Sequence, residues 1–182
     1  DLDSISFDNR AAARDLGRYV AQLGHRRVAV LGGPRKQAAV TARTAGFVEG
    51  LEEEGVAPGD IRIVHGQLTR LGGFNAAQQL FAEGRGSIDV VVAANDLLAI
   101  GALAGFRARG VTVPAELSVT GFDDIQLAVD VTPRLTTMAL PLAEAGAEAI
   151  RLAVGTADVE PAHLMLRGRL VVRDSTASRQ SP

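Results

Sequence analysis

The chain of 182 residues contains no cysteine. That absence removes disulfide scaffolds, thiolate zinc sites and thiol nucleophiles together, while leaving the cellular compartment open. Long apolar runs are missing as well: no stretch approaches the roughly 18 to 20 residues that a membrane span needs. Basic clustering is also lacking. The formal net charge is −2 and the arginines are scattered, so no surface is predicted that could neutralise a phosphate backbone, and this chain alone is expected not to bind DNA. The start, Asp1-Leu2-Asp3-Ser4, shows neither an initiating Met nor a signal-peptide pattern, and residue 1 is expected not to be the native start.

Enzyme signatures are absent from the sequence too. There is no G-x-S-x-G elbow, no phosphate-binding loop ending in Gly-Lys-Ser/Thr, and no G-x-G-x-x-G at a strand-to-helix turn. His25, His65 and His163 stand apart, without a second ligand at metal spacing, so neither a metal nor a cofactor is expected. No internal repeat or low-complexity block is found.

What is present is an ordinary globular composition, 47% hydrophobic and 22% charged, in a chain long enough to bury one sizeable core. Short continuous apolar runs alternate with helix-period stretches, which predicts an α/β fold: a three-layer α/β/α open parallel sheet. A helix over 8–23, capped by Asp8 or Asn9 and stopped by Gly24, precedes a strand at Val28–Leu31. A helix over 38–54 follows, stopped by Gly55, then a strand at Ile61–His65, a helix over 70–83, a strand at Val90–Ala94, a helix over 97–109 and a strand at Leu117–Gly121. A loop over 122–134 leads to an apolar piece at Leu135–Leu140, a helix from Pro141 or Leu142 closed by Gly155, and a final strand at Leu164–Val172. The polar segment 174–182 reads as a disordered tail.

Ligands of open parallel sheets sit beyond the carboxyl ends of the strands, so the residues just after each strand are the candidates. Asn95 and Asp96 follow one strand, Asp123 and Asp124 another, and the loop Pro34–Val40 leads to Arg43 one turn into its helix. Carboxylate and amide acceptors beside guanidinium and amide donors suit a small polyhydroxylated or carboxylated ligand. An Asp between a strand and a helix is very often only a cap, and Asp96 is read mainly as one. Of the adjacent pair, Asp123 is the candidate ligand group, with Asp124 orienting the turn.

Several stretches in order resemble the lactose/galactose repressor family: Phe7-Asp8-Asn9, Leu23 through Val28, Arg43-Thr44-Ala45-Gly46-Phe47, Ala94 through Ala102, Val113 through Asp124, and Pro133 through Thr137. The resemblance covers about Ser4 to Val172. It implies half of a periplasmic-binding-protein-like fold: residues 1–139 as the C-terminal effector-binding subdomain, 140–163 as an excursion toward an N-terminal subdomain, and 164–173 as the returning strand. By resemblance Arg43, Asn95 and Asp123 hydrogen-bond the effector, Phe7 packs on it, and the loop around Gln37 and Ala39 lines the pocket. Leu68 departs from the family by standing where an aromatic side chain often stacks. Ala39 departs too, since its side chain cannot hydrogen-bond, and sugars, nucleobase derivatives and phosphorylated metabolites all stay open as effectors.

The implied protein is the ligand-sensing domain of a cytoplasmic bacterial transcription regulator, not an enzyme. Its partners are a small effector, a second copy meeting it through the helices near 70–83 and 97–109 and the loop at Val129–Val131, and operator DNA through a helix-turn-helix domain outside this chain. Leu71, Phe74, Ile100, Val129 and Val131 are the candidate anchors. A transporter's sugar-binding protein and an α/β enzyme are the competing classes.

Overall fold

The structure, a computed structural model, describes residues 3–154 and 162–179. Its centre is a six-stranded sheet in the order β3-β2-β4-β5-β6-β8, built from β2 (Val28–Gly32), β3 (Ile61–His65), β4 (Val90–Ala93), β5 (Ser118–Asp123), β6 (Thr136–Ala139) and β8 (Arg169–Val171). The first five in spatial order run parallel, and β8 closes the edge antiparallel to β6. Strands β2 and β4 are buried along their whole length, which is why they read as unbroken apolar runs and not as alternating ones.

From β2 the chain steps outward to β3 through α2 (Ala38–Glu53), then back across to β4 through α3 (Arg70–Ala82) and on to β5 through α4 (Asp96–Arg107). Right-handed crossovers in opposite directions must lie on opposite faces. Accordingly α1 (Asn9–Gln22) packs with α2 on one face and α3 with α4 on the other. The second pair approaches closely because Gly101 has no side chain: a Cβ there would overlap the Arg70 carbonyl. Helices α1 and α2 end as expected, each followed by a glycine at positive φ, Gly24 at 91° and Gly55 at 82°.

The order reverses between β2 and β4, so the carboxyl ends of these two strands form the crevice where open α/β sheets bind ligands.

Four features differ from the sequence expectations. Ser4–Phe7 forms a strand, β1, which pairs in parallel with β7 (His163–Leu166) in a separate two-stranded sheet against which α6 (Leu142–Ala153) packs. The single strand expected over 164–172 is therefore two strands in different sheets, broken at Arg167-Gly168. Inside the expected loop 122–134 a short helix, α5, spans Leu127–Asp130.

The segment 174–179, expected to be disordered, is bound to the fold. Ser175 is completely buried; its hydroxyl donates to the Val119 carbonyl at 2.6 Å and accepts from the Thr136 amide at 2.8 Å. Farther along, Thr176 meets the Tyr19 hydroxyl at 3.0 Å and the Arg179 amide donates to the Leu23 carbonyl at 2.7 Å. Polar composition misled because hydrogen bonds, and not apolar area, hold the segment. Gly155 and residues 180–182 lie outside the described residues.

Candidate functional site

Arg43 is the hub of the carboxyl edge. It projects from the second turn of α2, only 11% of its side chain exposed, and donates through Nε to Asn9 Oδ1 at 2.7 Å and through Nη1 to the Ala94 carbonyl at 2.8 Å. Nη1 also lies 2.8 Å from Asp123 Oδ1, and the guanidinium carbon sits 4.0 Å above the centre of the Phe122 ring. Asn9 Nδ2 in turn donates to the Phe7 carbonyl at 3.1 Å, so Arg43 ties α2, α1, the end of β1, the end of β4 and the end of β5 together.

Burial works against both partners of the ion pair. It holds the Arg43 guanidinium below its ordinary pKa and pushes the Asp123 carboxyl up, each opposed by the charge of the other. Desolvation is the larger influence in each, and a pair that returns less than burial removes is weak evidence for a stabilising role and a marker of a functional site.

The turn after β5 carries a second sign. Asp123 and Asp124 have φ of 105° and 57°, backbone that side chains other than glycine rarely adopt and that costs about 1–3 kcal/mol per residue. Each residue of the turn has its own tether. Asp123 meets Arg43, Asp124 Oδ1 meets Arg173 Nη2 at 2.6 Å, and the Ile125 amide donates to Asp96 Oδ2 at 2.8 Å.

The cap expected of Asp96 is supplied by its neighbour Asn95. Asn95 is the cap of α4, its Oδ1 accepting from the Leu98 amide at 2.9 Å. Asp96, nearly sealed from solvent, leaves the helix end and accepts from Thr137 Oγ1 at 2.6 Å as well as from Ile125. Burial raises its carboxyl to about 6, and the two donors oppose that rise. The cap fixes the orientation of the Asn95 amide: its carbonyl oxygen is consumed, and Nδ2 is left to donate.

Of the sequence candidates, Arg43 and Asp123 are paired, Phe7 joins them through its carbonyl and Asn9, and Asn95 stands next to Ala94, whose carbonyl Arg43 holds. Gln37 and Leu68 lie at the same sheet edge toward β3 but outside this network. Gln37 is exposed at the start of α2 and makes no cap bond, while Leu68 is half-buried where a Cβ on Gly33 would be. A concavity of about 570 Å³ near Leu80, Phe106 and Leu117 is at the opposite, amino edge of the sheet; its polar lining comes from Arg85, Glu116, Ser178 and Arg179, and Arg85 is already paired with Glu116. The histidines are separate: His25 is buried 3.6 Å from Asp89, His65 meets the Gly33 carbonyl at 3.2 Å, and His163 meets Ser4 Oγ at 2.8 Å.

Residues 18–176 match the family of periplasmic binding protein-like domains. The chain belongs to that family. Its relatives are regulators of the lactose/galactose repressor type. An HTH-type transcriptional regulator in the aml 5′ region of Streptomyces limosus is 36% identical over 95% of this chain and 50% of its own length. The regulator GalR of Escherichia coli (strain K12) is 33% identical over 86% of this chain and 46% of its own. A LacI family transcriptional regulator from Enterococcus faecium, solved with bound ribose, superposes with a TM-score of 0.90 at 26% identity, over 98% of this chain and 66% of that one. The chain spans about half the length of the curated relatives it matches.

Three members of the site in this periplasmic binding protein-like domain escaped the sequence reading. Asn9 reads in the sequence only as a possible cap, although Asp8 takes that role by accepting from the Ala11 amide at 3.0 Å. Arg173 lies 49 residues from Asp124, and no local pattern joins them. Asp96 had the right position, directly after β4, but a cap and a buried tether look alike in one dimension.

Proposed function

We infer that this chain is the ligand-sensing part of a cytoplasmic bacterial transcription regulator, and that the cleft at Arg43, Asn95 and Asp123 takes a sugar or a similar small polyhydroxylated metabolite. The observation that carries this is the mixed, unsaturated polarity of the cleft. Arg43 Nη2 and Asn95 Nδ2 donate no hydrogen bond among the described residues, and Asp123 Oδ2 accepts none. Neighbouring hydroxyls both donate and accept, so a diol can satisfy the carboxylate and the two nitrogens at once. The regulators that the chain resembles, one holding ribose, support the same class.

The reading is not that of an enzyme. Each carboxylate of the cluster is already tethered, Asp123 by Arg43, Asp124 by Arg173 and Asp96 by Thr137 and Ile125, and Asp96, whose carboxyl burial raises, is nearly sealed from solvent. Ligand binding would act by linkage: the ligand favours one arrangement of two lobes and alters how a dimer presents its DNA-binding heads. DNA itself would be read by a helix-turn-helix domain, as the names of the relatives imply.

Calorimetric titration of the longest natural form of the protein with D-ribose, D-glucose, D-galactose and cellobiose tests the ligand class. For whichever sugar binds, Arg43→Ala is expected to cost about 1.5–3 kcal/mol, the scale of a hydrogen bond to a charged group. Unchanged affinity would remove Arg43 from the site, and conversion of the sugar to another compound would restore the enzyme reading.

Pairing with a second copy is proposed on the α3, α4 and α5 side. Leu71 is 66% exposed there and Val129 is also exposed, while Phe74 and Val131 are half-buried. Ile100, expected among the anchors, is interior at 5%. Sedimentation is expected to show a dimer for the unaltered chain and a monomer for Leu71→Asp; a monomer in both would end this proposal.

A further inference from the structure

We propose that Asp96 is a positioning residue of the ligand site, whose carboxylate fixes where Asp123 stands relative to Asn95 by pinning the backbone of the turn that carries Asp123. The inference rests on the sugar-site reading for its consequence, but its geometry is independent of it. Asp96 follows Asn95 directly, so it moves with the first turn of α4 and with the Asn95 amide. Its Oδ2 takes the Ile125 amide at 2.8 Å, two residues past Asp123, and its Oδ1 takes the Thr137 hydroxyl at 2.6 Å on the neighbouring strand β6. One carboxylate therefore holds the ends of β4 and β5 and the body of β6 at fixed separations.

Two further observations show that the fold is built to admit it. Gly121 lies under the carboxylate, and a Cβ at that position would overlap Asp96 Oδ1. The turn it pins includes two non-glycine residues at positive φ, a conformation that persists only where surrounding contacts over-determine it. Burial raises the Asp96 carboxyl to about 6, so above that pH the folded state carries an ion that its surroundings disfavour. The unfolded chain, with an ordinary carboxyl, has no such penalty, and stability from this group falls as pH rises through 6.

The test separates position from stability. In Asp96→Asn the amide oxygen can still accept from Ile125 and the amide nitrogen can donate to Thr137 Oγ1, so geometry is kept and the buried charge is lost. Its melting temperature at pH 7.5 is expected to equal or exceed that of the unaltered chain, with the Arg43 Nε–H NMR resonance unmoved. Asp96→Ala is expected to shift that resonance, because Asp123 leaves Arg43, and to speed hydrogen exchange of the Ile125 amide at least about tenfold while exchange in β2 stays unchanged. Thr137→Val removes one tether at constant volume and is expected to give the same signature in smaller size, which keeps the test decisive if the alanine variant does not fold.

With the sugar that binds the unaltered protein among D-ribose, D-glucose, D-galactose and cellobiose, affinity is expected to fall at least about tenfold in Asp96→Ala and to be retained in Asp96→Asn. An Arg43 resonance and an Ile125 exchange rate indifferent to both the alanine and the valine changes would overturn the proposal. Failure of every sugar to bind would instead defeat the sugar-site reading, with the Arg43 signature still deciding the role of Asp96.

Discussion

Replacing Phe122 with alanine is expected to cost about 3–5 kcal/mol of folding stability, a large share of the roughly 5–15 kcal/mol that holds a typical domain together. The ring is fully buried at the end of β5, and nothing around it can collapse easily. One edge meets the Phe47 ring of α2, with centroids 6.1 Å apart and planes at 70°. Its face carries the Arg43 guanidinium at 4.0 Å. Deleting the side chain therefore opens a cavity in the core and also removes the floor beneath a buried cation, a contact worth about 0.5–2 kcal/mol by itself. Phe122→Leu separates the two effects. Leucine refills most of the volume, so the denaturant midpoint is expected to recover most of the way, while sugar affinity stays below that of the unaltered protein because Arg43 has lost its ring. A loss under about 1 kcal/mol for the alanine variant would contradict the packing described here.

The coupling of core and site through one residue explains which parts of the molecule were legible in the sequence. Strands β2 and β4 announced themselves because burial on both faces leaves an unbroken apolar run, and Gly24 and Gly55 marked helix ends because the next step needs positive φ. The carboxyl-edge rule then placed Arg43, Asn95 and Asp123 at the same crevice. What stayed hidden depends on partners far along the chain. Strand β1 has four residues, two exposed and two half-buried, and finds its partner 159 residues away, so neither length nor an apolar run marks it. Ser175 looks like tail because its burial is satisfied by the Val119 carbonyl and the Thr136 amide, which a one-dimensional pattern cannot display. The division of labour between Asn95 and Asp96 turns on which side chain faces its own helix and which faces the neighbouring strand, a matter of rotamer and not of residue type.

The 182-residue chain alone is expected to bind its sugar far more weakly than a protein that spans the full length of the relatives. Strands β1 and β7 form a sheet of only two strands, which is marginal in isolation. Helix α6 has no buried residue: Leu142, Ile150 at 67% and Val154 are exposed, and Met165 of β7 joins them in facing solvent. We take this unit as part of a second lobe, the one toward which the resemblance directs the excursion at 140–163; residues 155–161 of that excursion lie outside the described residues. Apolar surface left in water forfeits about 25 cal/mol per Å², so the helix face gains by docking on that lobe or on a second copy. The ligand loses in parallel. Small-molecule sites bury most of the ligand's surface, and a cleft with one wall supplies about half of that contact. If the complete site binds near micromolar, about −8 kcal/mol, loss of one wall is expected to bring it to about millimolar or weaker. No lobe closure would remain for the ligand to stabilise, so the linkage to DNA binding would vanish with the affinity. Side-by-side titration of the two forms with the same sugar is the measurement, and equal affinities would show that Arg43, Asn95, Asp123 and their neighbours constitute the site without a second lobe.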